Sequence, residues 1–202
     1  MKLLLFSDVH AHEGRCRALV AQSKTADIVI GAGDFGNMRR QIAGTIGILS
    51  AIKKPTILVP GNAESYQELA AACRSWPEAV VLHGSGTTVN GRQFYGIGGG
   101  IPITPFGSWS YDFSEDDARM LLAACPEGAI LVSHSPPRGA VDRGSSGRSL
   151  GSVAVRETVL TKKPALVVCG HIHQSAGQST TLGESVVINA GPGGILWDLL
   201  ME

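Results

Sequence analysis

The chain opens with an apolar run that stops abruptly at polar residues. Residues 3–6 are apolar, and Ser7, Asp8, Val9 and His10 follow them directly. A short apolar run bounded in this way predicts a buried β-strand, and the residues after it predict a turn at the edge of a sheet. A carboxylate and an imidazole, two residues apart, then lie at the end of that strand.

Apolar runs alternate with segments of helical spacing through the rest of the chain. The predicted helices cover residues 13–23, 38–54, 64–73, 114–125 and 152–161. The predicted strands cover residues 3–6, 27–31, 56–59, 79–82, 87–89, 93–97, 129–132 and 165–169. The alternation of strand and helix over residues 1–73 favours a parallel sheet with right-handed crossovers.

The predicted strands lie closer together from residue 79 onward. Asn90 and Gly91 separate two of them and predict a β-hairpin turn. Residues 174–200 predict two or three antiparallel strands, and no linker or repeat divides the chain. The sequence therefore predicts an α/β protein in which residues 1–202 form a single domain.

The bulk composition narrows the classes of function. The chain has 202 residues, of which 44% are hydrophobic, and its 17 basic and 17 acidic side chains cancel. Without a net positive field, extended nucleic-acid binding is not expected. No segment approaches the roughly 20 apolar residues of a membrane span, and the four cysteines are isolated, as is usual in a reducing compartment. We therefore expect a cytoplasmic protein that does not associate with membranes.

Polar side chains follow the predicted strands at their carboxyl ends. They are Asp8, His10, Asp34, Asn62, His134, His171 and His173. Because the carboxyl ends of parallel strands meet at one edge of a sheet, we expect these side chains to converge. Their nitrogen and oxygen atoms suit Mn²⁺, with Fe, Zn, Co or Ni as alternatives, and they are too many for one ion. The pattern predicts two divalent metal ions that share a carboxylate.

These residues, in their order and spacing, resemble the motifs of the calcineurin-like metallophosphoesterases. The matching motifs are Asp8-x-His10, Gly33-Asp34, Gly61-Asn62, His134 and Gly170-His171-x-His173. Size and spacing are similar to those of the small bacterial and archaeal phosphodiesterase branch. The resemblance implies a four-layer α/β/β/α sandwich of two mixed sheets flanked by helices. It also implies that a hydroxide bridging two metal ions attacks the phosphorus of a phosphoester.

The resemblance implies a role for each of these side chains. The implied ligands of the first metal ion are Asp8, His10 and His173, and those of the second are Asn62, His134 and His171. Asp34 would bridge both ions. Asp34, Asn62 and His134 would take part in catalysis, and Asn62 would also contact the substrate.

One position departs from the family pattern. The third motif usually reads Gly-Asn-His followed by Asp or Glu, whereas this chain has Gly61-Asn62-Ala63-Glu64. The missing histidine is thought to donate to a phosphoryl oxygen or to protonate the leaving alkoxide, and a methyl group does neither. General acid catalysis is typically worth about 10²–10⁴-fold, and its loss matters most where the leaving group is poor. We therefore expect small phosphodiester substrates, such as aryl diesters or 2′,3′-cyclic nucleotides, and weak activity on phosphomonoesters.

Three features outside these motifs have two interpretations each. Loop 99–112 carries three aromatic side chains that either stack on a substrate or cover the end of the core, namely Phe106, Trp109 and Tyr111. Loop 135–149 carries Arg138, which either binds the substrate phosphate or is solvated. Glu64 either orients groups around the metal ions or is an ordinary acid at a helix N-terminus.

Two further functions stand beside hydrolysis of small diesters. One is an inactive scaffold of the same fold that acts in a protein complex, as one subunit of the retromer complex does. Loss of several ligands would favour the scaffold, whereas here only the non-ligand histidine is missing. The other is a nuclease, which the neutral charge disfavours. The oligomeric state stays open, since strands at the end of the chain could pair across a homodimer.

Overall fold

The computed structural model describes residues 1–199 of the chain. Residues 200–202 lie outside the described residues. They include the end of the predicted domain and of the region that was predicted to contain the C-terminal strands. The strands are β1 (Lys2–Phe6), β2 (Ile28–Gly31), β3 (Thr56–Leu58), β4 (Ala79–Val81), β5 (Ser85–Val89), β6 (Arg92–Ile97), β7 (Ile130–Ser133), β8 (Leu166–Cys169), β9 (Ser179–Leu182), β10 (Ser185–Asn189) and β11 (Ile195–Asp198). The α-helices are α1 (Glu13–Ser23), α2 (Ile42–Leu49), α3 (Tyr66–Ala72), α4 (Glu115–Leu122) and α5 (Val153–Lys162).

The strands form two mixed sheets. The first has the order β11-β1-β2-β3-β4, in which β1 to β4 are parallel and β11 is antiparallel to β1. The second has the order β5-β6-β7-β8-β10-β9, with parallel central strands and antiparallel outer ones. The carboxyl ends of the parallel strands therefore gather at one edge of each sheet.

Strand β1 shows why the layers stack as they do. Leu3 and Leu5 belong to the apolar cluster between the two sheets, whereas Leu4 and Phe6 belong to the cluster beneath the helices. Successive strand side chains point to opposite faces, so a strand that is apolar at every position is buried on both sides. This pattern places the first sheet between α-helices and the second sheet.

Three apolar clusters separate four layers. One lies between the sheets, the second packs α1, α2 and α3 on the outer face of the first sheet, and the third packs α4 and α5 on the second sheet. The architecture is an α/β/β/α sandwich, which confirms the predicted fold class. None of the helices within residues 1–199 is both long and apolar enough to cross a bilayer.

The helix predicted over residues 38–54 is wrong in its extent. Helix α2 covers only Ile42–Leu49. Its start is later than predicted because Met38, Arg39 and Gln41 have φ angles of 47°, 65° and 65°. A positive φ is incompatible with a right-handed helix. The segment before α2 is instead an irregular connection that brings Met38 to the surface.

The pairing predicted for the C-terminal strands is also partly wrong. Strand β10 is antiparallel to β9 but parallel to β8, and β11 crosses to the first sheet to pair with β1. Other predictions hold: α1 has the predicted bounds, and Asn90 and Gly91, with φ of 49° and 75°, form the turn between β5 and β6. Helix α4 begins at the predicted cap Ser114 but ends at Leu122, earlier than expected.

Candidate metal centre

The first sheet supplies four of the candidate ligands. Asp8 and His10 follow β1, Asp34 follows β2 and Asn62 follows β3. All four lie just beyond the carboxyl ends of neighbouring parallel strands, where α/β sheets place their sites.

The second sheet supplies the other three candidate ligands. His134 directly follows β7, and His171 and His173 follow β8. Strands β7 and β8 are parallel neighbours at the centre of that sheet. The seven side chains therefore come from the adjoining edges of both sheets.

Four of these residues have a left-handed backbone. The φ angle is 55° at Asp8, 43° at His10, 57° at Asp34 and 66° at His171. Asp and His enter this region more readily than most non-glycine residues, and such backbone clusters at functional sites. The left-handed residues break the alternation of the strand, so that neighbouring side chains turn toward the same place.

One group of side chains lies around Asp8. His173 Nε2 is 3.5 Å from Asp8 Oδ1 and 3.1 Å from His10 Nε2. The three side chains are close enough to hold one ion together. They are the residues that the resemblance implies for the first metal ion.

A second group lies around His134. Its Nε2 is 3.2 Å from Asn62 Oδ1, and its ring centroid is 4.9 Å from that of His171. Asp34 lies between the groups, with Oδ1 3.5 Å from His134 Nε2 and Oδ2 3.5 Å from His10 Nε2. The two oxygens of one carboxylate thus face both groups.

Hydrogen bonds at the outer ring nitrogens orient the imidazoles. His134 Nδ1 donates to the carbonyl oxygen of Ala32 (2.7 Å), and His10 Nδ1 lies 3.3 Å from the carbonyl oxygen of Gly36. With the proton on Nδ1, the lone pair of His134 Nε2 faces the carbonyl oxygen of Asn62. Two lone pairs that face each other repel unless a cation lies between them. The donor set therefore fits divalent cations with nitrogen and oxygen ligands.

The buried carboxyls carry opposite pKa shifts. Burial opposes ionisation of Asp8, but hydrogen bonds from His173 and Ser7 and the nearby His134 hold its pKa below the ordinary value. Burial and the negative charge of Asp8 raise the pKa of Asp34. Asp8 is therefore the ionised member of the pair, and Asp34 takes up a proton when no cation is bound.

The histidines also differ in their affinity for protons. Burial and the nearby His134 lower the pKa of His171 to about 3. The hydrogen bond with Asp8 raises the pKa of His173. His171 is therefore neutral and able to bind a metal ion throughout the physiological pH range.

Glu64 connects two of the ligand-bearing turns. Its carboxylate is fully buried and accepts hydrogen bonds from the backbone N–H groups of Gly61 (2.7 Å), Gly36 (2.9 Å) and Phe35 (3.2 Å). These amides flank Asp34 and Asn62. Burial raises the pKa of Glu64 to about 7. These contacts fit the first interpretation of Glu64, in which it orients groups around the metal ions.

Asn189 holds the turn after β8, a role that the sequence did not predict. Its Nδ2 donates to the carbonyl oxygens of Gly170 and Ile172, both at 3.1 Å. A Cβ at Gly170 would lie 2.5 Å from Asp8 Oδ2, so only glycine allows this approach. The backbone N–H of His171 can then donate to the Asp8 carboxylate at 3.1 Å.

The amide of Asn62 is oriented from loop 99–112. Asn62 Nδ2 donates to Ser110 Oγ (3.1 Å), and Ser110 donates to Asp112 Oδ1 (2.7 Å). The other oxygen of Asp112 accepts from the backbone N–H and the hydroxyl of Thr104, at 2.9 and 2.6 Å. Asp112 thereby fixes both the loop and the side-chain amide of Asn62. The sequence carries no signal for this chain of contacts.

A cavity of about 580 Å³ opens beside the candidate ligands. Part of its lining is polar and belongs to the centre, namely His10, Asp34, Asn62, His171 and His173. The rest of the lining is largely apolar and includes Met38, Ile103, Phe106, Trp109 and Leu150. The methyl group of Ala63 also lines this cavity, where the family pattern has the imidazole of a histidine.

The aromatic residues of loop 99–112 divide between two roles. Phe106 and Trp109 line the cavity and lie nearly parallel, with ring centroids 5.7 Å apart and an interplanar angle of 13°. Tyr111 packs instead against His83 (5.7 Å) and Phe113 (4.8 Å). The substrate interpretation thus fits Phe106 and Trp109, and the packing interpretation fits Tyr111.

The arginine side chain that lies near the candidate metal centre is not the one that the sequence predicted. Arg138 is exposed and does not line the cavity, so its role in substrate binding stays a prediction without geometric support. Arg15, in the first turns of α1, lines a smaller cavity beside His10 and His173. The sequence did not single out Arg15, although it lies five residues after His10.

Comparisons with known proteins agree with this geometry. The family model of the calcineurin-like phosphoesterase superfamily domain matches residues 1–198. The crystal structure of TT1561 of Thermus thermophilus superposes with a TM-score of 0.77 at 22% identity, covering 95% of this chain and 90% of that one. A dimetal phosphatase from Danio rerio has a TM-score of 0.64 at 14% identity, covering 94% of this chain and 86% of that one.

A third structure has the same fold. The phosphopantetheinyl hydrolase from Mycobacterium tuberculosis has a TM-score of 0.62 at 14% identity, and the match covers 94% of this chain and 88% of that one. At these identities the structural matches show a shared fold. No curated protein matches the sequence.

Proposed function

The chain belongs to the calcineurin-like phosphoesterase superfamily, and from this membership we propose that it hydrolyses phosphodiesters with good leaving groups. The proposal includes weak activity on phosphomonoesters. It concerns small substrates, such as aryl diesters or strained cyclic nucleotides, rather than long nucleic acids.

The proposal rests on the identity of the side chain at position 63. Ala63 lines the cavity with a methyl group, and the backbone N–H of the same residue is already engaged with Asp34 Oδ1 at 2.8 Å. The lining residues outside the candidate ligands include the neutral amides Asn37 and Gln174, which are not acids. A leaving group that needs protonation is disfavoured, because general acid catalysis typically contributes about 10²–10⁴-fold.

Two divalent cations, with Mn²⁺ our first choice, fit the candidate ligands. Asp8, His10 and His173 would hold one cation and Asn62, His134 and His171 the other. The carboxylate of Asp34 would serve both, since each of its oxygens faces one group. When bound, such cations would lower the pKa of water and offset the negative charge of a phosphoryl group.

The chain's own residues contribute orientation. Asp34 is held by the Ala63 amide, Asn62 by Ser110, and His134 by the carbonyl oxygen of Ala32. We assign Asp34, Asn62 and His134 to catalysis, with Asn62 also contacting the substrate. Fixed ligands of this kind reduce the reorganisation that the reaction requires.

The test combines metal analysis with a pair of substrates. Purified protein is loaded with Mn²⁺, its metal content is measured, and hydrolysis of bis-p-nitrophenyl phosphate is compared with that of β-glycerophosphate, a monoester whose alkoxide leaving group needs a proton. We expect close to two ions per chain and preference for the diester. Two ions without hydrolysis of either ester, or no bound metal, would favour the inactive scaffold. Preference for the monoester would contradict the assignment of substrate class.

We also propose a reducing compartment such as the cytoplasm for this protein. Cys16, Cys73, Cys125 and Cys169 are all buried and unpaired in the structure. Free buried thiols are usual where disulfides do not form.

A further inference from the structure

Exposed apolar side chains are concentrated beside the candidate metal centre. Within residues 1–199, eight large hydrophobic side chains are exposed, and four of them line the 580 Å³ cavity. These four are Met38, Ile103, Phe106 and Leu150, with exposed fractions of 53%, 67%, 50% and 45%. Exposed apolar residues that cluster in one place usually mark a binding surface.

Three separate segments build this apolar wall. Met38 precedes α2, Ile103 and Phe106 belong to loop 99–112, and Leu150 lies just before α5. A β-bridge joins Gly100 and Asp112, and Asp112 also accepts hydrogen bonds from Thr104. These contacts fix the residues between Gly100 and Asp112. The part of the wall that loop 99–112 supplies is therefore preformed.

The cavity has an aromatic lining and the size of a small-molecule site. Phe106 and Trp109 both line it, and their rings lie almost parallel to each other. The volume of about 580 Å³ falls within the roughly 300–1,000 Å³ of ordinary small-molecule pockets and exceeds what a phosphoryl group needs. Aromatic rings pack on such surfaces in offset-stacked or edge-to-face geometry.

The charge of the lining restricts what the cavity can hold. No Lys or Arg occurs among its lining residues, and the titratable groups there belong to the candidate metal centre. A second anionic group would find no cationic partner among these lining residues, so the lining favours an uncharged ester arm.

We propose that the cavity binds an uncharged aromatic ester arm of the substrate while the phosphoryl group lies at the candidate metal centre. This inference rests on the proposed phosphodiesterase function and narrows it to diesters with at least one aromatic arm. The continuity of the apolar wall with His10, Asp34 and Asn62 is the reason to assign the wall to the substrate rather than to a protein partner.

The test uses two anions that cannot be hydrolysed, because their phosphorus carries carbon in place of the ester oxygens. Binding of diphenylphosphinate and of dimethylphosphinate to the Mn²⁺-loaded protein is measured by titration calorimetry. We expect diphenylphosphinate to bind at least about tenfold more tightly, as burial of an aromatic ring predicts. Trp109→Ala and Phe106→Ala should each remove most of this difference and leave dimethylphosphinate binding unchanged.

Met120→Ala is the matched control, because Met120 is 70% exposed on α4 and does not line the cavity. It should leave both affinities unchanged, and the melting temperature of each variant reports whether it folds. Equal binding of the two phosphinates, or a difference that survives both aromatic substitutions, would overturn the proposal. Binding is measured without turnover. The comparison of the two phosphinates therefore tests the cavity even if the protein shows no activity in the phosphodiesterase assay.

Discussion

The backbone N–H of Ala63 donates a 2.8 Å hydrogen bond to Oδ1 of Asp34, the carboxylate between the two groups of candidate ligands. The side chain of the same residue points its methyl group at the cavity. The backbone at position 63 thus positions Asp34 independently of the side chain. A substitution there is expected to change the chemistry available to a substrate while Asp34 keeps its contact.

Ala63→His should therefore restore activity on phosphomonoesters. We expect the ratio of β-glycerophosphate hydrolysis to bis-p-nitrophenyl phosphate hydrolysis to rise by about 10²-fold, because the alkoxide leaving group of the monoester needs a proton and p-nitrophenolate does not. Ala63→Gln is the control, since it fills the same space without an acidic proton. An unchanged ratio in the histidine variant, or the same rise in the glutamine variant, would show that the missing acid does not determine specificity.

Metal binding should release protons and weaken at low pH. Burial raises the pKa of Asp34 to about 8, so this carboxyl holds a proton near neutral pH in the metal-free protein. The hydrogen bond with Asp8 raises the pKa of His173 and so favours its protonated form, and a cation must displace these protons. The affinity for the metal ion should rise with pH until Asp34 is ionised and His173 is neutral. Titration calorimetry at pH 7 in buffers of different ionisation enthalpy measures the released protons.

Asp34→Asn provides the control for that measurement. The amide cannot take up the proton, so fewer protons should be released per metal ion bound. Proton release that is identical in the variant would mean that Asp34 is already ionised before the metal binds.

Glu64 should make the metal-free protein less stable as pH rises. Its pKa of about 7 in the folded chain lies above the unfolded value of 4.5, so the folded state binds more protons between these values. The free energy of unfolding should then fall by about 3 kcal/mol as pH rises through this range. Glu64→Gln should remove this component, as measured by urea denaturation at pH 5 and pH 8.

Glu13→Gln serves as the reference in this experiment. The Glu13 side chain is 72% exposed and sits in the first turn of α1, far along the chain from the buried carboxyl. The Glu13→Gln variant removes a carboxylate by the same substitution at an exposed position, so it measures the effect of that substitution away from the buried site. The prediction fails when the stability of the Glu64 variant depends on pH in the same way as that of the unmodified protein.

Ser110→Ala should weaken binding of one cation and spare the other. Ser110 is the partner of the Asn62 side-chain amide, and loss of a residue that orients a metal ligand typically costs about 10–100-fold in affinity. Binding isotherms should then separate into one unchanged and one weaker site. Ser108→Ala, at an exposed position in the same loop, is the control. Equal weakening of both sites would indicate general loosening of the loop instead.

Much of the candidate centre could be predicted from local patterns. Apolar runs such as residues 3–6 identify strands, and the Asp, Asn or His after each run identifies the edge where the strands end. The parallel arrangement brings Asp8 and Asp34 together at the edge of the first sheet, and the packing of the second sheet on the first adds His134. The fold class and the family follow from the same signals.

The apolar wall could not be predicted in this way. Met38 was expected inside a helix, and Leu150 was not assigned to any predicted element, yet both line one cavity with Trp109. The contact of Asn62 with Ser110 joins residues 48 positions apart and depends on how loop 99–112 folds over the sheet.

The sequence by itself determined the strands, the two-sided burial of β1 and the identity of the candidate ligands, because these depend on periodicity and on short motifs. Only the tertiary structure decided that β11 joins the first sheet, that Arg138 lies outside the cavity and that Glu64 connects two turns. The physical reason is that strand pairing and loop packing are non-local. Their free energy depends on which distant surfaces meet, and no local pattern records that choice.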